Sequence, residues 1–209
     1  DEEAPLRPPS PTGYVADAVE VEGYVRGLQR RRPDIEVTVA RFTNLIGPQV
    51  DTVTTRYFAL PVVPTILGYD ARIQLVHSAD ALSVLELATV ADKPGVFNVG
   101  GDGVLTLSQA IRRAGRVELP LPKGLLPSIG KVLRGAKVVD FSHDRLQMLQ
   151  HGLVVDTTRL KREFGYVPRW STLEAFDDYV QGRGLRPVVD GGAVSESLSR
   201  VALAAARRR

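Results

Sequence analysis

The stretch Ile35-Glu36-Val37-Thr38-Val39-Ala40-Arg41-Phe42-Thr43-Asn44-Leu45-Ile46-Gly47-Pro48 decides the fold. Ile35, Val37 and Val39 alternate along a short β-branched run, so 35–42 reads as a strand. NLIGP (44–48) then reads as a loop at its C-terminal end. Upstream, Val15, Ala18, Val21, Val25 and Leu28 recur at three- and four-residue steps, which makes 14–31 a helix. Arg30, Arg31 and Arg32 gather at its C-terminal end, where positive charge suits the helix dipole, and Pro33-Asp34 stops it. Helix, turn and strand are half of a βαβ unit, and such units build parallel sheets.

Downstream, 50–60 reads as a short helix, 72–76 as a strand, and Ser78 as the cap of a helix over 79–91. GVFNV (95–99) is a further strand closed by a Gly-Gly-Asp-Gly turn. Thr106 with Gln109, and Ser171 with Glu174, have capping-box spacing and open helices that run to about Arg113 and Val180. Residues 117–137 suggest a short strand and an amphipathic helix, and Ser142 caps a helix to Gln150. Val154 to Asp156 reads as a strand, and 157–164 as a helix stopped by Gly165.

The 209 residues carry 27 Lys and Arg against 24 Asp and Glu, a net charge of +3, with 44% hydrophobic residues. These are globular proportions, with enough apolar material to offset chain entropy. With no Cys, thiolate zinc sites, thiol nucleophiles and disulfides are excluded. That absence fits a reducing cytoplasm. The longest apolar run, 57–69, is too short for a membrane span and holds Pro61 and Pro64. His77, His143 and His151 lack metal-ligand spacing, so no metal site is expected. Basic residues are scattered over several elements, and only 6% of residues are aromatic, which argues against a nucleic-acid surface.

Five segments in fixed order carry a resemblance. Tyr14 opens a helix; Arg41, Asn44, Gly47 and Pro48 form R-x-x-N-x-x-G-P; His77 and Asp80 lie in LVHSAD; Asn98, Val99, Gly100 and Gly101 form N-V-G-G; and Asp156, Arg159, Leu160, Lys161, Phe164, Gly165, Tyr166 and Pro168 form the last signature. Over roughly residues 1–182 the chain resembles the C-terminal portion of the NAD-dependent epimerase/dehydratase family. This is the extended short-chain dehydrogenase/reductase group that includes UDP-glucose 4-epimerase, and actinobacterial epimerase-like proteins look nearest.

The resemblance implies an α/β fold: a partial Rossmann-type parallel sheet with helices, plus a small C-terminal substrate-binding lobe. It implies the end of a dinucleotide-binding domain in 1–60, a mixed substrate lobe with returning Rossmann elements in 61–182, and a flexible tail in 183–209. The implied activity is an NAD- or NADP-dependent change to a sugar nucleotide in the cytoplasm, by a homodimer with no membrane span. Tyr14 would be the acid/base, Phe42 and Asn44 would lie near nicotinamide and sugar, and Arg72 and His77 would line the substrate lobe.

The chain departs from the family at three places. The G-x-x-G-x-x-G turn that holds the cofactor pyrophosphate is not in this sequence. Ala18 stands four residues after Tyr14, where the family has a Lys that lowers the tyrosine pKa. Ile73 occupies the position of a diphosphate-clamping Arg, and Arg72 is offset by one residue. A catalytically degenerate relative that binds a ligand or partner is the alternative expectation.

Overall fold

The strand read at 35–42 does not end where the sequence suggests. In the computed structural model, which describes residues 2–3, 14–122, 124 and 149–188, it continues as two consecutive strands with different partners. β1 (Thr38–Phe42) pairs in parallel with the strand Gly95–Val99, Arg41 opposite Asn98. The Thr43 amide still donates to the Val99 carbonyl at 2.9 Å. Beyond it, β2 (Asn44–Ile46) pairs in parallel with the strand Leu75–His77. The segment taken for a loop is therefore strand. Its three residues are too few to show a period, and its pairing is set by residues thirty positions away.

The remaining elements follow in order. α1 (Tyr14–Arg31) precedes β1. After β2 come α2 (Val53–Ala59), β3 (Val62–Ile66), β4 (Arg72–Ile73), β5 (Leu75–His77) and α3 (Ser78–Val90). Then come β6 (Gly95–Val99), β7 (Leu105–Thr106), α4 (Leu107–Arg113) and β8 (Val117–Leu121). A π-helical turn (Leu160–Phe164) and α5 (Thr172–Gly182) come last among the described residues. β3 pairs in parallel with β8, and β4 antiparallel with β7. Pro64 and Pro120, one on each strand, fit a two-stranded ladder that needs few amide donors.

Local signals explain the helix starts. The capping boxes at Thr106–Gln109 and Ser171–Glu174 both form. Gly165 ends the π-helical turn in the left-handed region at φ 82°. At α3 the cap differs from expectation, since the His77 ring accepts from the Ala79 amide and Ser78 is already helical. Where a strand was read at 154–156, only an isolated bridge between Leu153 and Ile73 forms. Residues 125–137, and most of the helix read at 142–150, lie outside the described residues, as does the tail beyond 188.

Two apolar cores result. One gathers Ala40 and Phe42 of β1 with Val84, Phe97, Val99 and Phe164. The other gathers Ile46, Phe58, Leu75, Ile111, Phe176 and Tyr179. The β1–β2 strand runs from one core into the other, so Thr43 stands at their border.

Candidate functional site

At that border the chain must serve two sheets at once, and its polar groups are unevenly matched. Thr43 is buried, and among the described residues its Oγ1 has no hydrogen-bond partner. Asn44 accepts from the Thr54 hydroxyl at 3.2 Å through Oδ1, while its Nδ2 is buried without a partner. A missing partner in a buried place costs about 1–3 kcal/mol, so such atoms call for an explanation. The cavity that reaches Asn44 is apolar and about 10 Å³ in size, lined by Ile73, Leu75, Leu107 and Leu149 among others. It holds a single water at most. Phe42 is half-buried, one position before the border, and packs into the core with Phe97 and Val99.

The other candidates lie elsewhere around this border. His77 ends β5 and is buried; Nδ1 accepts from Ala79, Nε2 lies 3.0 Å from Asp178 Oδ2, and Trp170 stacks on the ring at 4.3 Å. This pairing assigns the ring proton to Nε2. Both nitrogens and one face are thus engaged by the protein itself. Arg72 is exposed on β4 while Ile73 is buried in the core, the one-residue alternation of a strand. Among the described residues the Arg72 side chain has no ion-pair partner.

Tyr14 is the first residue of α1, and its side chain lies outside the described residues. On α1, Ala18, Val21 and Tyr24 are exposed while Val15, Val25 and Leu28 are half-buried, so only part of the apolar stripe read from the sequence lies toward the protein. The face toward the sheet is set by Glu22. Its carboxylate accepts from Arg41 Nη2 at 2.5 Å and Nε at 3.0 Å, and from Arg26 at 2.9 Å. These guanidiniums, Arg41 first, hold the Glu22 carboxyl below its ordinary value against the opposing effect of burial. Helix propensity carries no information on such a pair, so the sequence period locates the docking face only in part.

Two further residues matter here: the sequence reading matched Asp80 only as part of LVHSAD, without a role, and did not single out Gln74. Asp80 is fully buried and accepts from the Tyr166 hydroxyl at 2.8 Å and from the Arg169 and Trp170 amides at 3.0 and 3.1 Å. It pins the segment before α5 to the start of α3, and together with burial it pushes the Tyr166 phenol up. Gln74, between β4 and β5, is also buried, donates to the Gly101 carbonyl at 2.9 Å and accepts from the Val155 amide at 2.8 Å. The only sequence signal for Gln74 is a polar residue between Ile73 and Leu75. Among the described residues no three His, Asp or Glu gather as a metal site, and no helix is long and apolar enough to cross a membrane.

Comparison with known proteins places this architecture. No family model matches the chain. An uncharacterized protein of Mycobacterium tuberculosis and one of Mycobacterium bovis are each 50% identical over 189 residues, which is 90% of this chain and 50% of theirs. This chain thus spans about half the length of these relatives. A second uncharacterized protein of M. tuberculosis is 33% identical over 156 residues, 71% of this chain and 17% of its own. Among solved structures, UDP-glucose 4-epimerase from Thermus thermophilus in complex with NAD superposes with a TM-score of 0.63 at 19% identity, over 88% of this chain and 57% of that one. dTDP-glucose 4,6-dehydratase from Bacillus anthracis, also in complex with NAD, gives 0.61 at 19% identity, over 88% and 55%. The NDP-hexosamine 5,6-dehydratase TunA gives 0.58 at 20% identity, over 91% and 59%. These likenesses show the fold: α/β and Rossmann-like, as in nucleotide-sugar epimerases and dehydratases.

Proposed function

We propose that the chain is the C-terminal part of an NAD(P)-dependent nucleotide-sugar epimerase/dehydratase-like oxidoreductase. The observation that carries this reading is the pair of buried atoms, Thr43 Oγ1 and Asn44 Nδ2, that have no partner among the described residues at the border of the two sheets. A hydroxyl and an amide donor held in place without protein partners suit hydroxyl or carboxamide groups of a bound ligand. When bound, the nicotinamide ring would accept and return a hydride. The chain has no glycine-rich turn for the pyrophosphate, so its residues fit only the nicotinamide and sugar end. Phe42 and Asn44 would flank that end, Arg72 and His77 would belong to the substrate lobe, and Tyr14 would exchange a proton with a sugar hydroxyl. Such a protein would act as a homodimer in the cytoplasm.

A second reading is favoured by Ala18, which offers Tyr14 no ammonium to lower its pKa. In that reading the protein binds the same ligands without turnover. The test is calorimetric titration of NAD and NADP into the chain expressed with its upstream coding sequence, followed by assay with UDP-glucose. Binding with turnover supports the first reading, and binding without turnover the second. Failure of the longer protein to bind either dinucleotide would overturn both.

A further inference from the structure

Gln74 sits where three segments meet. Its backbone amide donates to the Leu153 carbonyl at 3.0 Å, and its carboxamide bridges Gly101 and Val155. The carboxamide also lies against the Cα of Gly100 on the same side as Thr43. A Cβ at Gly100 would stand 3.0 Å from Gln74 Nε2 and 3.0 Å from Thr43 Cγ2. The Thr43 methyl and the Gln74 carboxamide therefore share the space that the glycine leaves open. Gly101 keeps a second donor, the Thr172 hydroxyl at 3.3 Å, whereas among the described residues the Val155 amide has no acceptor besides Gln74.

We infer that Gln74 is a positioning residue for the Thr43–Asn44 junction between β1 and β2. By fixing the end of β6 and residue 155 at one spacing, it sets where the Thr43 hydroxyl and Asn44 amide point. The inference rests on the reading that this junction faces the ligand. An apolar residue of similar length would fill the volume and leave the Val155 amide without an acceptor. The segments would then settle at a different spacing, and the junction would move with them.

The test uses the chain with its upstream coding sequence, titrated with UDP-glucose and separately with NAD. Gln74→Met is expected to weaken UDP-glucose binding at least tenfold and NAD binding by about threefold at most, because this reading gives Thr43 and Asn44 only the nicotinamide end of the dinucleotide and no pyrophosphate contact. Tyr179→Phe, which removes a buried hydrogen bond far along α5, serves as the control for general destabilisation and is expected to leave both affinities within twofold. If Gln74→Met does not fold, Gln74→Asn decides, with an expected loss of threefold or more for UDP-glucose. Gln74 variants that bind UDP-glucose within twofold of the parent would overturn the inference, as would an equal loss in Tyr179→Phe. A parent protein that binds neither ligand sinks the reading of the junction, and this inference with it.

Discussion

Asp80 and the Thr43–Asn44 junction both bury polar atoms, and those atoms are treated in opposite ways. Every oxygen of the Asp80 carboxylate meets a donor from the chain. Thr43 and Asn44, by contrast, keep one atom each without a partner. A carboxylate with three donors is a tie between segments, and its worth is read in stability. Polar atoms left unmatched oppose stability. The contrast separates residues that hold the fold from residues held by it.

Substitutions break or sharpen this contrast. Asp80→Ala removes the acceptor for three buried donors and is expected to lower unfolding free energy by about 3–5 kcal/mol in chemical denaturation. Glu22→Gln is expected to cost about 2 kcal/mol, because Arg41 is mostly buried and loses its charged partner. This pair also sets an acid limb. The Glu22 carboxyl is lowered in the folded state, so its contribution is complete above the ordinary carboxylate range near about pH 4 and is lost as pH falls below it. Denaturation across pH 2–6 should show a shallower acid limb in the Gln variant, and an unchanged limb would refute the assignment.

Tyr179→Phe is expected to cost about 1 kcal/mol, from loss of the 2.6 Å bond to the Thr55 carbonyl. Burial pushes the Tyr179 phenol up to about 12. Its contribution is therefore present below the ordinary phenol value of about 10 and fades as pH rises toward the folded value. The Phe variant should lose that alkaline step when followed by denaturation between pH 9 and 12. The smallest effect is expected at the other pole of the contrast. Thr43→Val keeps the shape and deletes only an unmatched hydroxyl, so stability should stay within about 0.5 kcal/mol or rise slightly. A loss of 2 kcal/mol or more would mean that the hydroxyl is a structural tie after all.

The sequence made some of this legible. Capping boxes at Thr106 and Ser171 are local chemistry and formed as read, as did strand 95–99. Asn44 stood out through R-x-x-N-x-x-G-P, and its special position is the strand border. What escaped was non-local. Asn44–Ile46 is strand only because 75–77 lies beside it. His77 caps α3 in place of Ser78 because Asp178 and Trp170 fix its ring. The face of α1 was legible only in part, because the ion pair of Glu22 with Arg41, nineteen positions on, leaves no periodic signal. Gln74 and Thr43 gave almost no local signal, since their roles depend on Gly100, which only folding brings beside them.

The tightest crossing has a consequence in time. A Cβ at Gly101 would lie 2.7 Å from the Trp170 carbonyl and 2.9 Å from that of Leu75, and Thr172 donates its amide to Asp102 while receiving the Leu75 amide on its hydroxyl. Leu75 and Thr172 are 97 positions apart. As the chain emerges during synthesis, the centre of the molecule therefore waits on a residue made almost a hundred steps later. Until Thr172 arrives, the Leu75 amide and the Gly100–Asp102 turn lack their last partner. A chaperone-binding or pulse-labelling assay on nascent chains ending just before and just after α5 would locate this late closure.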